Sequence, residues 1–231
     1  MTDVQVRDES SVRAFMTGVF SWMFIALAIT AFTAYYVAST PEIISMMVTA
    51  TGLSFFGWFV MLAPIGFVLL MSFRFQKLSA MSLTLLFIIY SVLVGLSLSF
   101  IFLVYTMGSI ATTFGVTSLT FGIMAIAGYT TKTDLTKFGS IMMMGLIGII
   151  VASLVNFFLK SDSMQYIISF IGVLVFTGLT AYDVQKLKRI GTEMTAGQES
   201  TRKYAIMGAL SLYLDFINLF LFLLRFLGRR N

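Results

Sequence analysis

Seven apolar stretches, each of the roughly 20 residues that a helix needs to cross a hydrocarbon core of about 30 Å, occupy most of this 231-residue chain. They run approximately over residues 14–38, 52–73, 78–105, 110–129, 138–159, 164–184 and 205–227. In lipid no water is available to satisfy a backbone N–H or C=O, so such spans must bond internally, as helices do. Hydrophobic residues make up 58% of the chain and charged residues 11%, with a mean hydropathy of +0.96. A soluble domain carries about 25% charged residues. The chain therefore reads as an all-α integral membrane protein with seven transmembrane helices. No Pro, Gly or Ser-rich linker divides it, so a single transmembrane domain is expected over 1–231, with 1–13 as a leader.

The sequence has neither Cys nor His. That removes disulfides, thiol nucleophiles, Cys/His metal sites and imidazole acid/base chemistry. Any proton chemistry must fall to carboxylates. The sixteen Met and twenty-four Phe are mostly bulk that faces lipid or fills gaps. The first span is too long for a cleaved signal peptide, and its leader TDVQVRDES is mixed in charge rather than basic. The N-terminus is expected to be kept. No internal repeat suggests a transporter built from paired halves.

Orientation follows from Lys and Arg in the connections. With the N-terminus in the cytoplasm, the inner segments hold Arg7, Arg13, Arg74, Lys77, Lys132, Lys137, Lys186, Lys188, Arg189, Arg202 and Lys203. The corresponding outer flanks hold only Lys160. A seventh crossing then carries Arg225, Arg229 and Arg230 outside. C-terminal charges are weak determinants, and the last run is long enough to cross. Seven crossings are favoured over a last span that enters and returns.

Of ten acidic residues, eight sit in polar segments: Asp3, Asp8, Glu9, Glu42, Asp134, Asp162, Glu193 and Glu199. Two remain. Asp215 lies deep in the last run, in LSLYLDFINLFLFLL, and Asp183 at the inner end of the sixth, in GLTAYDVQKLKRI. An acid at bilayer depth costs several kcal/mol unless it is protonated, partnered or wet, which makes it a functional candidate. The plainer alternative is a neutral Asp gluing two helices by one hydrogen bond. Gly208, Ser211, Asp215, Asn218, Phe222 and Arg225 follow steps of three and four, a small and polar stripe that should turn away from lipid. A small-residue packing seam explains Gly208 and Ser211, but not Asp215 in line with Arg225. Consecutive antiparallel helices tend to be neighbours, so Asp183 and Asp215 can approach. Their depths differ, however. Asp183 is about one turn from the Lys186–Arg189 cluster, whereas Asp215 is some 18 Å of helix beyond Lys203. Contact needs tilt, a kink, or a last helix that begins below the membrane surface.

GLTAYDVQKLKRI and GALSLYLDFINLFLFLLRFLG closely resemble the two most distinctive stretches of the transmembrane Bax inhibitor motif family. AGYTTKTDLTKFGS resembles the family's fourth inner connection, and Asn156 falls at the end of the fifth span. The resemblance covers nearly the whole chain apart from the leader and residues 42–51. It implies a seven-helix fold with the last helix central, enclosed by the other six. It also implies a proton-sensitive calcium leak with two aspartates as sensor and gate, here Asp183 and Asp215, and so favours contact between them. An arginine at the inner end of the second span serves the family as a latch, and Arg74 in MSFRFQK holds that place. Read by itself, Arg74 is ordinary positive-inside flanking. Arg225 matches the family's arginine near the outer end of the last helix. Some bacterial relatives carry an acid eleven residues before the latch, where this chain has Ala63 beside Pro64.

Two carboxylates at hydrogen-bond distance do not both ionise cheaply and tend to share a proton. Such a pair is a bistable element of the kind a pH switch needs. Carboxylate oxygens also suit calcium, and two acids fit weak, transient occupancy by calcium as the permeant ion, with no resident cofactor. Ser211, Asn218 and Arg225 are the supporting polar face. Which protonation state opens the gate does not follow from the residues.

Two other readings compete. An intramembrane aspartyl protease also pairs aspartates on adjacent helices, but it normally has Gly-x-Gly-Asp at the second acid, where Leu212, Tyr213 and Leu214 stand here. A non-conducting regulatory or scaffolding protein would use the aspartates only to hold helices together while acting through protein partners. A retinal-type photoreceptor is excluded because no lysine lies within the last run. The pI near 9.5 reflects inner loops that face anionic lipid rather than nucleic acid. Expected partners are the bilayer, calcium and protons, and the expected location is a bacterial inner membrane with a cytoplasmic N-terminus.

Overall fold

The computed structural model describes residues 2–49, 52–194 and 198–230, and side chains from residue 9 onward. The leader charges Asp3, Arg7 and Asp8 lie outside the described side chains. Residues 195–197 of the connection before the last span lie outside the described residues.

The order is α1 (Thr2–Ala38), α2 (Pro41–Met47), β1 (Val48–Thr49), β2 (Gly52–Leu53), α3 (Phe55–Arg74), α4 (Ala80–Leu98), α5 (Ile101–Val104), α6 (Met107–Thr130), α7 (Thr136–Leu159), α8 (Asp162–Glu193) and α9 (Glu199–Leu227). Seven helical segments are long and apolar enough to span a membrane, and each coincides with one of the expected runs. The all-α membrane fold expected from the hydropathy is thus what the chain adopts.

Most differences lie at the ends. The second span starts at Phe55, because Val48–Thr49 and Gly52–Leu53 pair as a two-stranded antiparallel ribbon and Gly52 takes φ 132°, open only to glycine. Ser54 then caps α3, its hydroxyl accepting from the Gly57 N–H at 3.0 Å. Ser79 and Thr106 begin α4 and α6 in the same way, from Ser82 N–H and Ser109 N–H. Glu42, expected in a loop, lies in the first turn of α2 behind Pro41. The third span breaks after Leu98, where the Ser99 N–H is shared between the carbonyls of Gly95 and Leu96. The largest correction concerns the polar segment 185–204, expected as a connection. Residues Gln185–Glu193 continue α8, and α9 begins at Glu199. Amphipathic polar sequence beside a membrane can remain helical in water, which hydropathy alone does not register.

The chain divides into two compact units. One comprises the residues up to Tyr105 together with Met194–Leu210. In it α1 and α3 both pack on α4. The buried Thr30 hydroxyl donates to the Ser91 carbonyl at 2.9 Å, and Gly95 allows the close approach, since a Cβ there would stand 2.6 Å from that of Thr33. Small residues at such crossings are the usual device in lipid, where water exclusion contributes little to helix association.

The other unit comprises Thr106–Glu193 and Ser211–Arg230. Here α6 and α7 both pack on α8. Gly128 of α6 lies against the Ala181 carbonyl, and Gly139 of α7 lies against the Tyr182 ring. At one end Asn156 closes the turn between α7 and α8: its carbonyl accepts from Lys160 N–H, itself left-handed at φ 51°, and its side-chain oxygen from Ser161 N–H. At the other end Asp134 accepts from both the hydroxyl (2.6 Å) and the N–H (2.9 Å) of Thr136. The Thr136 hydroxyl above all, with Arg189 and Lys137 nearby, holds the Asp134 carboxyl below the usual carboxylate range.

The last helix is the most buried of the seven, with 67% of its apolar window inside the protein against 56% for α8 and 11% for α7. Leu212, Tyr213 and Leu219 have no exposed surface. The Leu and Phe faces of α9 are packed along most of its length as well, which is what a helix apolar nearly all round requires.

Candidate functional site

The site is built where α8 and the second half of α9 meet. The Ser211 hydroxyl donates to Asp183 Oδ2 at 2.6 Å. Asp215 follows Ser211 by four residues, so both point from one side of α9. Asp215 is 5% exposed, and its Oδ2 is buried with no hydrogen-bond partner. Ser211 is thus the bridge from one helix to the other, one turn before Asp215 on α9.

The hydrogen bond puts Asp183 and Ser211 at one level, with Asp215 one turn further along α9.

Two residues beyond Asp183 anchor it. Gln185 Nε2 donates to the Thr133 carbonyl at 2.8 Å, and its Oε1 accepts from Leu135 N–H at 2.8 Å. Lys188 Nζ donates to the Tyr129 carbonyl at 2.8 Å and lies 4.7 Å from the centre of the Tyr129 ring. Together they tie the polar end of α8 to the last turn of α6 and the α6–α7 connection. Neither role was read from the sequence. The one available signal was that Gln185 and Lys188 lie three apart on one helix face.

On α9, the residue after Asp215 is clamped by aromatics. Phe216 meets Phe114 and Phe121 of α6 edge-on, with centroids 5.4 and 5.5 Å apart. Phe222 packs flat on Phe176 of α8 at 5.8 Å, in the space left by Gly172. The remaining members of the polar face are engaged elsewhere. Asn218 Nδ2 donates to the Leu214 carbonyl of its own helix at 2.8 Å. Arg225 is exposed near the helix end, 5.9 Å from the Phe222 ring. Ser211 alone of the three is joined to an acid. Arg74 occupies the last turn of α3 in the other unit, where it is exposed. Among the described residues no group of three or more Asp, Glu, His or Cys is gathered that would hold a metal.

The resemblance favoured contact between the two acids, whereas Asp183 is held by Ser211 and no hydrogen bond joins it to Asp215. Residues 12–231 match the family described as Inhibitor of apoptosis-promoting Bax1. The chain belongs to this Bax inhibitor family. It is 48% identical over its full 231 residues to the inner membrane protein YbhL of Escherichia coli strain K12, of which it covers 97%. A Borreliella burgdorferi protein is 47% identical over 217 residues, 94% of this chain and 92% of that relative. A Rickettsia prowazekii protein is 44% identical over 223 residues, 96% and 92% of the two chains. This Bax inhibitor family protein is an integral membrane protein with seven candidate spans, and the inner membrane named for its Escherichia coli relative agrees with the location expected from the sequence.

Proposed function

We propose that the protein is a pH-sensitive leak for cations, calcium foremost, gated by Asp183 and Asp215. The observation that carries this is Asp215 Oδ2, a carboxylate oxygen buried without a hydrogen-bond partner one helical turn from the serine that holds Asp183. Such an oxygen is tolerated in a protein interior when the acid is neutral, and becomes costly when it is ionised without a cation or water. A proton and a cation are therefore alternatives at the same place. Two carboxylates and a hydroxyl form a sparse oxygen set, suited to calcium in passage rather than in storage. Arg74 is the latch candidate, as a guanidinium able to compensate the ionised pair. The leak is passive and the protein is not an enzyme in this reading. Leu212 and Tyr213, both wholly buried, stand before Asp215 in place of the small residues of a Gly-x-Gly-Asp motif, which disfavours an aspartyl protease.

The test is calcium entry into liposomes that contain the purified protein, followed with an enclosed indicator as external pH is stepped through the neutral range. A flux that rises or falls several-fold is expected. Protein-free and protein-containing vesicles that behave alike at every pH would remove the leak and leave a regulatory or scaffolding role.

The serine gives a finer test. A hydrogen bond to a charged group is worth about 1.5–3 kcal/mol, and about 1.4 kcal/mol corresponds to one pH unit. Ser211→Ala is expected to leave a pH-dependent flux but move its midpoint by about one unit. An unmoved midpoint would take Ser211 out of the switch.

A further inference from the structure

We propose that the unit formed by the N-terminal helices and the start of α9 carries a binding site for one anionic phospholipid, with Arg202 on the headgroup phosphate. A cavity of about 570 Å³ opens there between α1, the first turn of α4 and the first turns of α9. That volume suits a headgroup with the upper part of an acyl chain.

The lining is graded from one end to the other. One face of α1 supplies Ser11, Phe15, Gly18 and Trp22 at steps of three and four, a run of about 16 Å along the helix. Thr84 of α4 and Arg202 of α9 close the other sides. Arg202 and Ser11 stand at the polar end, where the helices leave the apolar spans. Trp22 and Gly18 lie deeper, among apolar neighbours. A charged mouth over an apolar throat matches an amphiphile, with an aromatic ring partway down as at membrane interfaces.

Charge selects the headgroup. The described cations at this end of the unit are Arg13, Arg74, Lys77, Arg202 and Lys203, against the acids Glu9 and Glu199. Several of these are already engaged. Arg13 lies 3.7 Å from Glu9, Lys203 Nζ donates to the Gln76 carbonyl at 3.1 Å, and Glu199 accepts from the Ala80 N–H at 3.3 Å. Among the described residues, the Arg202 guanidinium has no hydrogen-bond or ion-pair partner. A forked donor at the rim of an apolar cleft in a membrane protein is the arrangement that captures a lipid phosphate. The site is separate from Asp183 and Asp215 and does not depend on the leak.

Tryptophan makes it measurable, because the chain has only Trp22 and Trp58. Trp58 lies exposed on α3 and does not line the cavity. In full-length Trp58→Phe protein in detergent micelles, fluorescence from Trp22 is titrated with brominated phosphatidylglycerol or brominated phosphatidylcholine. Half-quenching is expected at about fivefold lower phosphatidylglycerol, the worth of one cation on an anionic lipid. Arg202→Gln should abolish that preference, Lys77→Gln should retain it, and Gly18→Leu should reduce quenching by both lipids by filling the throat. If Gly18→Leu does not fold, Thr84→Leu takes its place. Inorganic phosphate at the same concentration should not relieve quenching. The proposal is overturned if the two lipids quench alike, if Arg202→Gln keeps the preference, if Lys77→Gln loses it equally, or if free phosphate displaces the lipid.

Discussion

Asp215→Asn is expected to yield a protein that folds and reaches the membrane, yet whose calcium flux no longer changes with pH across the neutral range. The substitution is nearly isosteric, so the packing around Tyr213, Phe216 and Leu219 is retained. What changes is the ability to ionise. Asp215 is the more enclosed of the two acids, 5% exposed and with Oδ2 unpartnered, so its two protonation states differ more in their demands on the surroundings than those of half-buried Asp183, which already has the Ser211 hydroxyl. An amide is neutral at every pH and removes that difference. Stability should hold or rise, because the uncharged side chain avoids the cost of a buried charge. The measurement is the same liposome flux with wild type and variant side by side, with thermal unfolding in detergent as a check on folding. A variant that keeps the wild-type pH response would end the assignment of Asp215 as the sensor, whatever its absolute flux. A variant without flux at any pH would instead point to a role for the acid in conduction itself.

The largest expected effect on stability is at Gly128→Ala. A Cβ built there runs into the carbonyl and Cα of Ala181, which are backbone atoms and cannot rotate aside. Overpacking of this kind costs about 1–3 kcal/mol, and α6 or α8 must shift to relieve it. Ala181 is two residues from Asp183, so the shift should also disturb the hydrogen bond to Ser211. Gly122→Ala on the same helix is the control, since nothing lies within 4 Å of a Cβ there. Alanine favours helix over glycine by about 1 kcal/mol, and this change should be neutral or mildly stabilising. A lower unfolding temperature for Gly128→Ala, with Gly122→Ala unchanged or higher, is the expected pattern. Equal behaviour of the two would show that the α6–α8 contact is looser than this geometry.

Much of the fold was legible because membrane spans are specified locally. Each needs a run of sufficient length and hydropathy, whereas three of the starts are set by the capping side chains of Ser54, Ser79 and Thr106, which hydropathy does not register. The helix that continues past Val184 was not legible in this way. Residues Gln185–Glu193 are too polar to register as a span, and they stay helical while Gln185 and Lys188 find carbonyls of the α6–α7 connection and of the last turn of α6, far earlier in the chain. The polar stripe on α9 was partly misleading as well. Periodicity placed Ser211, Asn218 and Arg225 in line, but it carries no information on which of them meets a partner.

By itself the sequence determined that seven apolar segments must be helices in a bilayer, that chemistry without Cys or His must rest on carboxylates, and that Asp183 and Asp215 are the two acids not placed in polar segments. Tertiary structure decided that a serine rather than a direct contact holds Asp183, that Asp215 keeps an oxygen without a partner, and that α9 is packed on its Leu and Phe faces too. The physical reason is one of range. Hydropathy and capping act within a few residues, whereas the level at which two side chains meet depends on where separate helices begin and end, and on glycines such as Gly128 that set how closely their backbones approach.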